Sequence, residues 1–149
     1  MSAQPILFII RGLPGSGKTT TAYGMDPDSG RVHAADDYFM VDGEYRFNPR
    51  ELPHAHAACQ TKVERDMAQF EVAFVANTFT QGWEFTPYLE IAERFGARIV
   101  VIDCFDAGMT DEQLAEKNTH GVPVEAIRAM RQRWEADWRA GDPRPPWER

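Results

Sequence analysis

Gly12-Leu13-Pro14-Gly15-Ser16-Gly17-Lys18-Thr19 fits the pattern G-x-x-x-x-G-K-[ST] at every fixed position. Ile6-Leu7-Phe8-Ile9-Ile10 precedes it, a short apolar run of buried-strand type. Thr19-Thr20-Thr21-Ala22-Tyr23 follows and can open a helix. Strand, glycine loop and helix start give the pattern its physical meaning. Without a Cβ at Gly15 and Gly17, the chain can curl and bring backbone N–H groups close to phosphate oxygens. The helix start adds free N–H groups and the positive end of a dipole. Lys18 supplies a point charge for the outer phosphates, and Thr19 a hydroxyl for Mg²⁺. Leu13, Pro14, Gly15, Ser16, Gly17, Lys18, Thr19 and Thr20 are therefore the expected nucleotide-binding segment, with ATP and Mg²⁺ as its ligands. The alternative is a glycine-rich turn that binds nothing; the full match in this context argues against it.

Composition sets the outer limits. A chain of 149 residues is a natural single domain, and one of this size buries roughly 70% of its unfolded surface. With 43% hydrophobic and 26% charged residues it reads as an ordinary globule. The net charge of -7 argues against non-specific coating of nucleic acid but leaves room for a local basic groove. Cys59 and Cys104 have no C-x-x-C spacing and read as buried thiols of a reducing compartment. Met1-Ser2-Ala3-Gln4-Pro5 lacks a basic leader, and the next apolar run is too short to span a bilayer, so a cytoplasmic location is expected.

The rest of the chain alternates between strand and helix patterns. The first strand is expected over about 5–11, followed by a short helix that Gly24 weakens and the turn residues Asp26-Pro27-Asp28-Ser29-Gly30 end. Residues 31–35 read as a second strand running into Asp36-Asp37-Tyr38, and 41–49 as a loop with a turn at Asp42-Gly43. A helix over about 51–69 carries Leu52, Ala55, Cys59, Val63, Met67 and Phe70 as its apolar stripe. His54 and His56 on that helix diverge by about 200° and cannot share one metal. A third strand spans 71–76. A helix with Phe85, Tyr88, Leu89, Ala92 and Phe95 on one face then ends at Gly96. A fourth strand covers 97–103, Thr110 caps a short helix through Lys117, and a last helix is expected over about 123–139, burying Val124, Ile127, Met130, Trp134 and Trp138. Residues 143–149 form an irregular tail whose P-x-x-P segment either packs on its own domain or docks on an aromatic groove. The pattern implies an α/β fold, a mostly parallel sheet of four or five strands covered on both faces. Ligands of such sheets gather at the carboxyl ends of the strands, where Asp36 and Asp37 fall.

Taken in order, the phosphate loop, Asp36-Asp37-Tyr38, Asn77-Thr78, Trp83-Glu84 with Pro87-Tyr88, and Asn118-Thr119-His120-Gly121-Val122 resemble the polynucleotide 5′-hydroxyl kinase family of small P-loop kinases. The resemblance runs from about Ile6 to Glu135. It implies a P-loop NTPase three-layer sandwich over residues 1–142 with a small helical lid at about 110–122. It also implies Lys18 and Thr19 on phosphate and Mg²⁺, and Asp36 as the general base for the acceptor hydroxyl. Relatives carry an acid at the end of the third strand, where this chain has Ala76-Asn77-Thr78-Phe79, and arginine in the lid, where it has Glu116-Lys117. The first departure leaves Mg²⁺ orientation open, with Asp36 itself as a candidate metal ligand. The second makes Lys117 and Arg128 the candidate lid cations, with His120 as a helper. Lysine supplies charge but not a planar fork.

The functional expectation is transfer of the γ-phosphoryl group of ATP to a hydroxyl, on a nucleic-acid end or a nucleotide. A kinase for a nucleoside, nucleotide-sugar or other small metabolite is the alternative, which the acidic balance favours. An ATP-binding module without catalysis is a third reading, fed by Ala76 and Phe79. A GTPase is disfavoured because no convincing N-K-x-D or D-x-x-G motif is present. Asp36 itself stays open between base, helix cap and partner of a Mg²⁺-bound water.

Overall fold

The run after Pro5 forms β1 (Ile6–Gly12), the strand on which the sheet is built. In the computed structural model, which describes residues 3–26 and 30–149, Leu7, Ile9 and Ile10 of β1 are fully buried. Burial on both faces explains why this strand is continuously apolar rather than alternating. The turn expected around Pro27-Asp28-Ser29 lies outside the described residues.

Along the chain come α1 (Lys18–Met25), β2 (Val32–His33), β3 (Met40–Val41), β4 (Glu44–Tyr45), α2 (Leu52–Phe70), β5 (Val72–Asn77), α3 (Gly82–Phe95), β6 (Arg98–Phe105), α4 (Asp111–Lys117) and α5 (Val124–Arg133). The main sheet has the order β2-β5-β1-β6, with every pairing parallel. Successive residues of β1 face opposite sides. Leu7 and Ile9 pack with Cys59, Val63 and Met67 of α2 and with Phe85, Tyr88 and Ile91 of α3. Ile10 packs with Ala22 of α1 and with Phe74 and Ala76 of β5. This is the expected α/β arrangement of a parallel sheet between helical layers. A further cluster of Leu13, Leu114 and Ile127 seats α4 and α5 beyond the carboxyl end of β1.

Three local expectations change. The second strand stops at His33, because Asp37 Oδ2 accepts the Ala34 N–H at 3.0 Å and starts a 3-10 helix, Ala35–Phe39. Residues 40–45, expected as loop, form a small antiparallel hairpin. Its turn residues Asp42 and Gly43 have φ of 51° and 80°, the left-handed pair that a two-residue hairpin turn demands. The last helix ends at Arg133 rather than near 139, and Trp134 is already extended. The Glu135 N–H donates to Thr80 O at 2.7 Å, which pulls the chain out of the helix and across to the end of β5. Trp138 still packs where the apolar pattern requires, stacked on Phe85 at 3.9 Å between ring centres. The tail lies against α3: Thr86 Oγ1 donates to Pro143 O at 2.8 Å, and Trp147 sits edge-on to Trp83. Cys59 is buried and Cys104 half-buried, both as free thiols. Among the described residues no helix is long and apolar enough to cross a membrane.

Arg11 joins these pieces. It is the residue before the phosphate loop, and none of it reaches solvent. Its Nε and Nη2 both donate to Phe79 O, at 3.1 and 2.8 Å, and Nη2 also donates to Glu135 O at 2.9 Å. Nη1 donates to Asp103 Oδ2 at 3.4 Å, and the guanidinium lies over the Trp134 ring at 3.9 Å. Burial lowers its pKa, and Asp103, Glu84 and Glu135 oppose that loss. Phe79 is held at φ 46°, a left-handed conformation that costs a non-glycine residue about 1–2 kcal/mol. Arg11→Met retains apolar bulk but strands the carbonyls of Phe79 and Glu135. We expect a loss of about 3–5 kcal/mol, read as a lowered urea midpoint at unchanged slope.

Candidate active site

At the end of β1 the pairing with β6 shifts register between Arg11 and Gly12, and Leu13 N–H donates to Phe105 O at 2.8 Å. The chain is thereby turned out of the sheet into the glycine loop. Gly12 is required by a close approach: a Cβ there would lie 2.3 Å from Ser16 Oγ. Gly15 has φ 83°, and a Cβ on it would lie 2.5 Å from Leu114 O and 3.2 Å from Asn118 N. The loop is thus packed directly on the C-terminal end of α4.

Leu13 and Pro14 are buried and Gly17 is exposed. Gly17 is the N-cap of α1, with no side chain to satisfy the first turn. The first i→i−4 bond of the helix runs from Thr21 N–H to Gly17 O at 2.9 Å. The N–H groups of Lys18, Thr19 and Thr20 come before it and have no i−4 carbonyl within the helix. Ser16 Oγ is buried with no hydrogen-bond partner. Lys18 Nζ reaches back to Leu13 O at 3.5 Å. Burial lowers the Lys18 pKa, and the charge of Asp36 opposes the shift. The Thr19 and Thr20 side of the loop is exposed. An unpartnered buried hydroxyl, free helix-start donors and a desolvated lysine fit a nucleotide phosphate chain. The Thr19 hydroxyl and the Asp36 carboxylate are oxygen donors of the kind Mg²⁺ takes alongside phosphates and water. No group of three His, Cys, Asp or Glu among the described residues could hold a metal ion by itself.

Asp36 and Asp37 sit in the first turn of the 3-10 helix, not on a strand end, and their roles divide there. Asp37 caps Ala34 N–H. Asp36 accepts from Tyr45 Oη at 2.9 Å on Oδ1, while its Oδ2 lies 3.7 Å from His120 Nε2. The strand-end residue that is an acid in the resembling family is here replaced by a second-layer contact: Asn77 Oδ1 accepts Ala35 N–H at 2.9 Å and pins the helix carrying Asp36. Tyr45 went unnoticed in the sequence; its signal was the Asp42-Gly43 hairpin turn, which folds Tyr45 back over residues 36–39.

The segment expected to form the lid is well ordered internally. Thr110 caps α4 through Gln113 N–H at 3.2 Å. Asn118 templates the turn that follows: its Nδ2 donates to Ala115 O and Val122 O at 2.8 and 3.1 Å, and its Oδ1 accepts from Val122 N–H at 2.8 Å. His120 on that turn stacks on Tyr45 at 4.2 Å between ring centres. Lys117 is exposed in the last turn of α4. Arg128 is tied to α4 instead of reaching the loop, with Nη2 donating to Glu112 Oε1 at 3.1 Å and Nε lying 3.7 Å from Asp111 Oδ2. The structure thus brings Asp36 and His120 together, and sets Arg128 in a separate ion-pair group.

Comparison with known proteins agrees with this geometry. The AAA domain family matches residues 7–136. The human NEDD4-binding protein 2 is 31% identical over 129 residues, which are 84% of this chain and 7% of that protein. Two solved structures share the fold. The structure of the Pnkp1/Rnl/Hen1 RNA repair complex matches with a TM-score of 0.72 at 17% identity, over 97% of this chain and 49% of the other. A gluconokinase from Sinorhizobium meliloti 1021 matches with a TM-score of 0.51 at 15% identity, over 97% and 80%. The chain therefore spans a small fraction of its human relative and about half of the repair-complex chain.

The tight seat of the loop on α4 gives a direct test. Gly15→Ala meets both the left-handed backbone and the Leu114 carbonyl, and should weaken ATP binding by about tenfold or more in a calorimetric titration. Gly96→Ala, at φ 62° with open space around it, carries only the backbone strain. It should lower the melting temperature and leave ATP affinity unchanged.

Proposed function

The chain belongs to the AAA domain family and has the fold of P-loop kinases, and on that premise we propose that it transfers the γ-phosphoryl group of ATP to a hydroxyl at a polynucleotide 5′ end. The observation that carries the proposal is the phosphate loop itself, with Gly15 seated on the end of α4, the Ser16 hydroxyl buried without a partner, and the first N–H groups of α1 left free beside Lys18. Phosphoryl transfer is mostly positioning and neutralisation of charge, and these residues are disposed for both. The glycine loop and the start of α1 hold the β- and γ-phosphates, and Lys18 neutralises them. The Thr19 hydroxyl would hold Mg²⁺, and the ion when bound would draw charge from the phosphate oxygens. Asp36 takes the proton of the acceptor hydroxyl. Residues 110–122 serve as the lid. Of its two expected cations, Lys117 is kept for the moving phosphoryl group, because Arg128 is engaged by Glu112 and Asp111. The family likeness in the ordered motifs supports a polynucleotide acceptor, as does the fold shared with a protein of an RNA repair complex.

One observation favours a second reading, a small uncharged or weakly charged acceptor. Asp36 and Asp37 sit together in the first turn of the 3-10 helix of a chain of net charge -7, and such a field repels a phosphate backbone. Labelled ATP offered with 5′-hydroxyl DNA, 5′-hydroxyl RNA, nucleosides and gluconate separates the two; transfer only to the small molecules sinks the polynucleotide reading.

Two substitutions test the machinery. Lys18→Ala should lower kcat/KM by at least a few hundred-fold, about 3 kcal/mol or more, with the fold intact by circular dichroism; a variant within about tenfold of the parent removes the loop from the mechanism. Asp36→Asn keeps shape and removes basicity, so transfer should fall by about 10²–10⁴-fold while ATP affinity holds. Asp37→Ala should leave transfer nearly intact and lower the melting temperature, in keeping with a cap worth about 1 kcal/mol.

A further inference from the structure

We propose that Tyr45 is a positioning residue for Asp36, and that His120 joins it to the lid, so that lid closure and alignment of the acceptor-side carboxylate are one event. The proposal rests on the reading of Asp36 as the base.

Asp36 is 47% exposed at its side chain, and such a carboxylate is free to change rotamer unless something holds it. The Tyr45 hydroxyl does so, donating to Oδ1 at 2.9 Å. Hydrogen bonds to a charged acceptor are the strong ones, and this one fixes which oxygen is left for other work. Tyr45 can act as a fixed donor because it is itself held. Its hairpin is closed by Arg46 N–H donating to Phe39 O at 2.8 Å, and its ring packs edge-on to Phe39 and parallel to Phe47.

The remaining oxygen, Oδ2, looks toward His120. At 3.7 Å the contact is longer than a hydrogen bond. His120 Nδ1 is buried without a partner, so the ring is seated by its stacking on Tyr45 and its approach to Asp36 rather than by a bond of its own. The backbone behind it is firm: Asn118 Oδ1 accepts His120 N–H at 3.2 Å, and Asn118 follows the α4 turn that abuts Gly15. A continuous series of contacts therefore leads from the phosphate loop through Leu114, Asn118, His120 and Tyr45 to Asp36. A lid displaced from the phosphates takes His120 off the Tyr45 ring.

The test is a mutant cycle in labelled γ-phosphoryl transfer to the best of 5′-hydroxyl DNA, 5′-hydroxyl RNA and gluconate, with ATP affinity titrated separately. Tyr45→Phe keeps the ring and should lower kcat by about 10- to 100-fold at unchanged ATP affinity and melting temperature. The same change in an Asp36→Asn background should cost less than about twofold, because the carboxylate it positions is gone. His120→Ala should lower kcat by about tenfold, and His120→Phe, which restores a stacking ring, should recover most of that loss. Unchanged transfer by Tyr45→Phe beside a crippled Asp36→Asn overturns the positioning role and leaves the base reading standing. Losses that multiply in the double variant overturn it as well. Normal transfer by Asp36→Asn refutes the base reading, and the positioning role with it. A His120→Ala variant as fast as the parent removes the lid from the proposal.

Discussion

A guanidinium with no access to water has to be satisfied by protein, and Arg11 recruits its partners from three separate parts of the chain. It draws the carbonyl of Phe79 from the turn after β5, that of Glu135 from the segment after α5, the carboxylate of Asp103 from β6, and the ring of Trp134 as a cover. Each partner lies near the carboxyl end of the sheet, beside the point where β1 turns into the glycine loop. The cost of burying one charge is thereby converted into a defined rim for the site. Glu135 adds a second tie at the same place: its carboxylate accepts Gly82 N–H at 2.6 Å at the start of α3, and leaves no room for a side chain on Gly141. The phosphate loop stands on a base clamped from several directions, although its own residues are small and make few side-chain contacts.

The parts of the molecule legible in the sequence are those determined by local chemistry. The loop could be read because a fixed spacing of glycine, lysine and hydroxyl has a meaning independent of the rest of the fold. The strands β1 and β5 could be read because burial on both faces forces an uninterrupted apolar run, and β6 because the stretch 99–102 is apolar although that edge strand is only half-buried. Thr110 and Gly96 announced helix ends by their cap chemistry, and both do so in the structure. What escaped was settled at a distance. Trp134 and Trp138 are spaced as a helical stripe, but the bond from Glu135 N–H to Thr80 O ends the helix before them. Two-residue strands at 40–41 and 44–45 are too short for periodicity to register, so Tyr45 remained hidden. The side chain of Arg11 gave no hint of its partners, since none is within sixty residues of it in the chain.

The end of β5 shows how a departure from a resembling pattern is to be weighed. An acid is absent at Ala76, and from the sequence this counts against catalysis. In the fold, Ala76 is buried beside Ile10, and the next residue, Asn77, holds the 3-10 helix on which Asp36 stands. The amide carries no charge to offer a metal, but it fixes the backbone under the one acid that faces Lys18. The acceptor side of the site is therefore supported by neutral groups, Asn77 below and Tyr45 beside, which hold a carboxylate without competing with it for a cation.

The contact between Gly15 and the carbonyl of Leu114 also has a meaning in time. The surface on which the phosphate loop rests is made almost a hundred residues after the loop itself. Its parent strand is in the same position, for β1 pairs on one side with residues from 72 onward and on the other with residues from 98 onward. Contacts of such long range close slowly and late. During synthesis the loop exists as sequence long before it exists as a shape, and it cannot take its native form until α4 has been made.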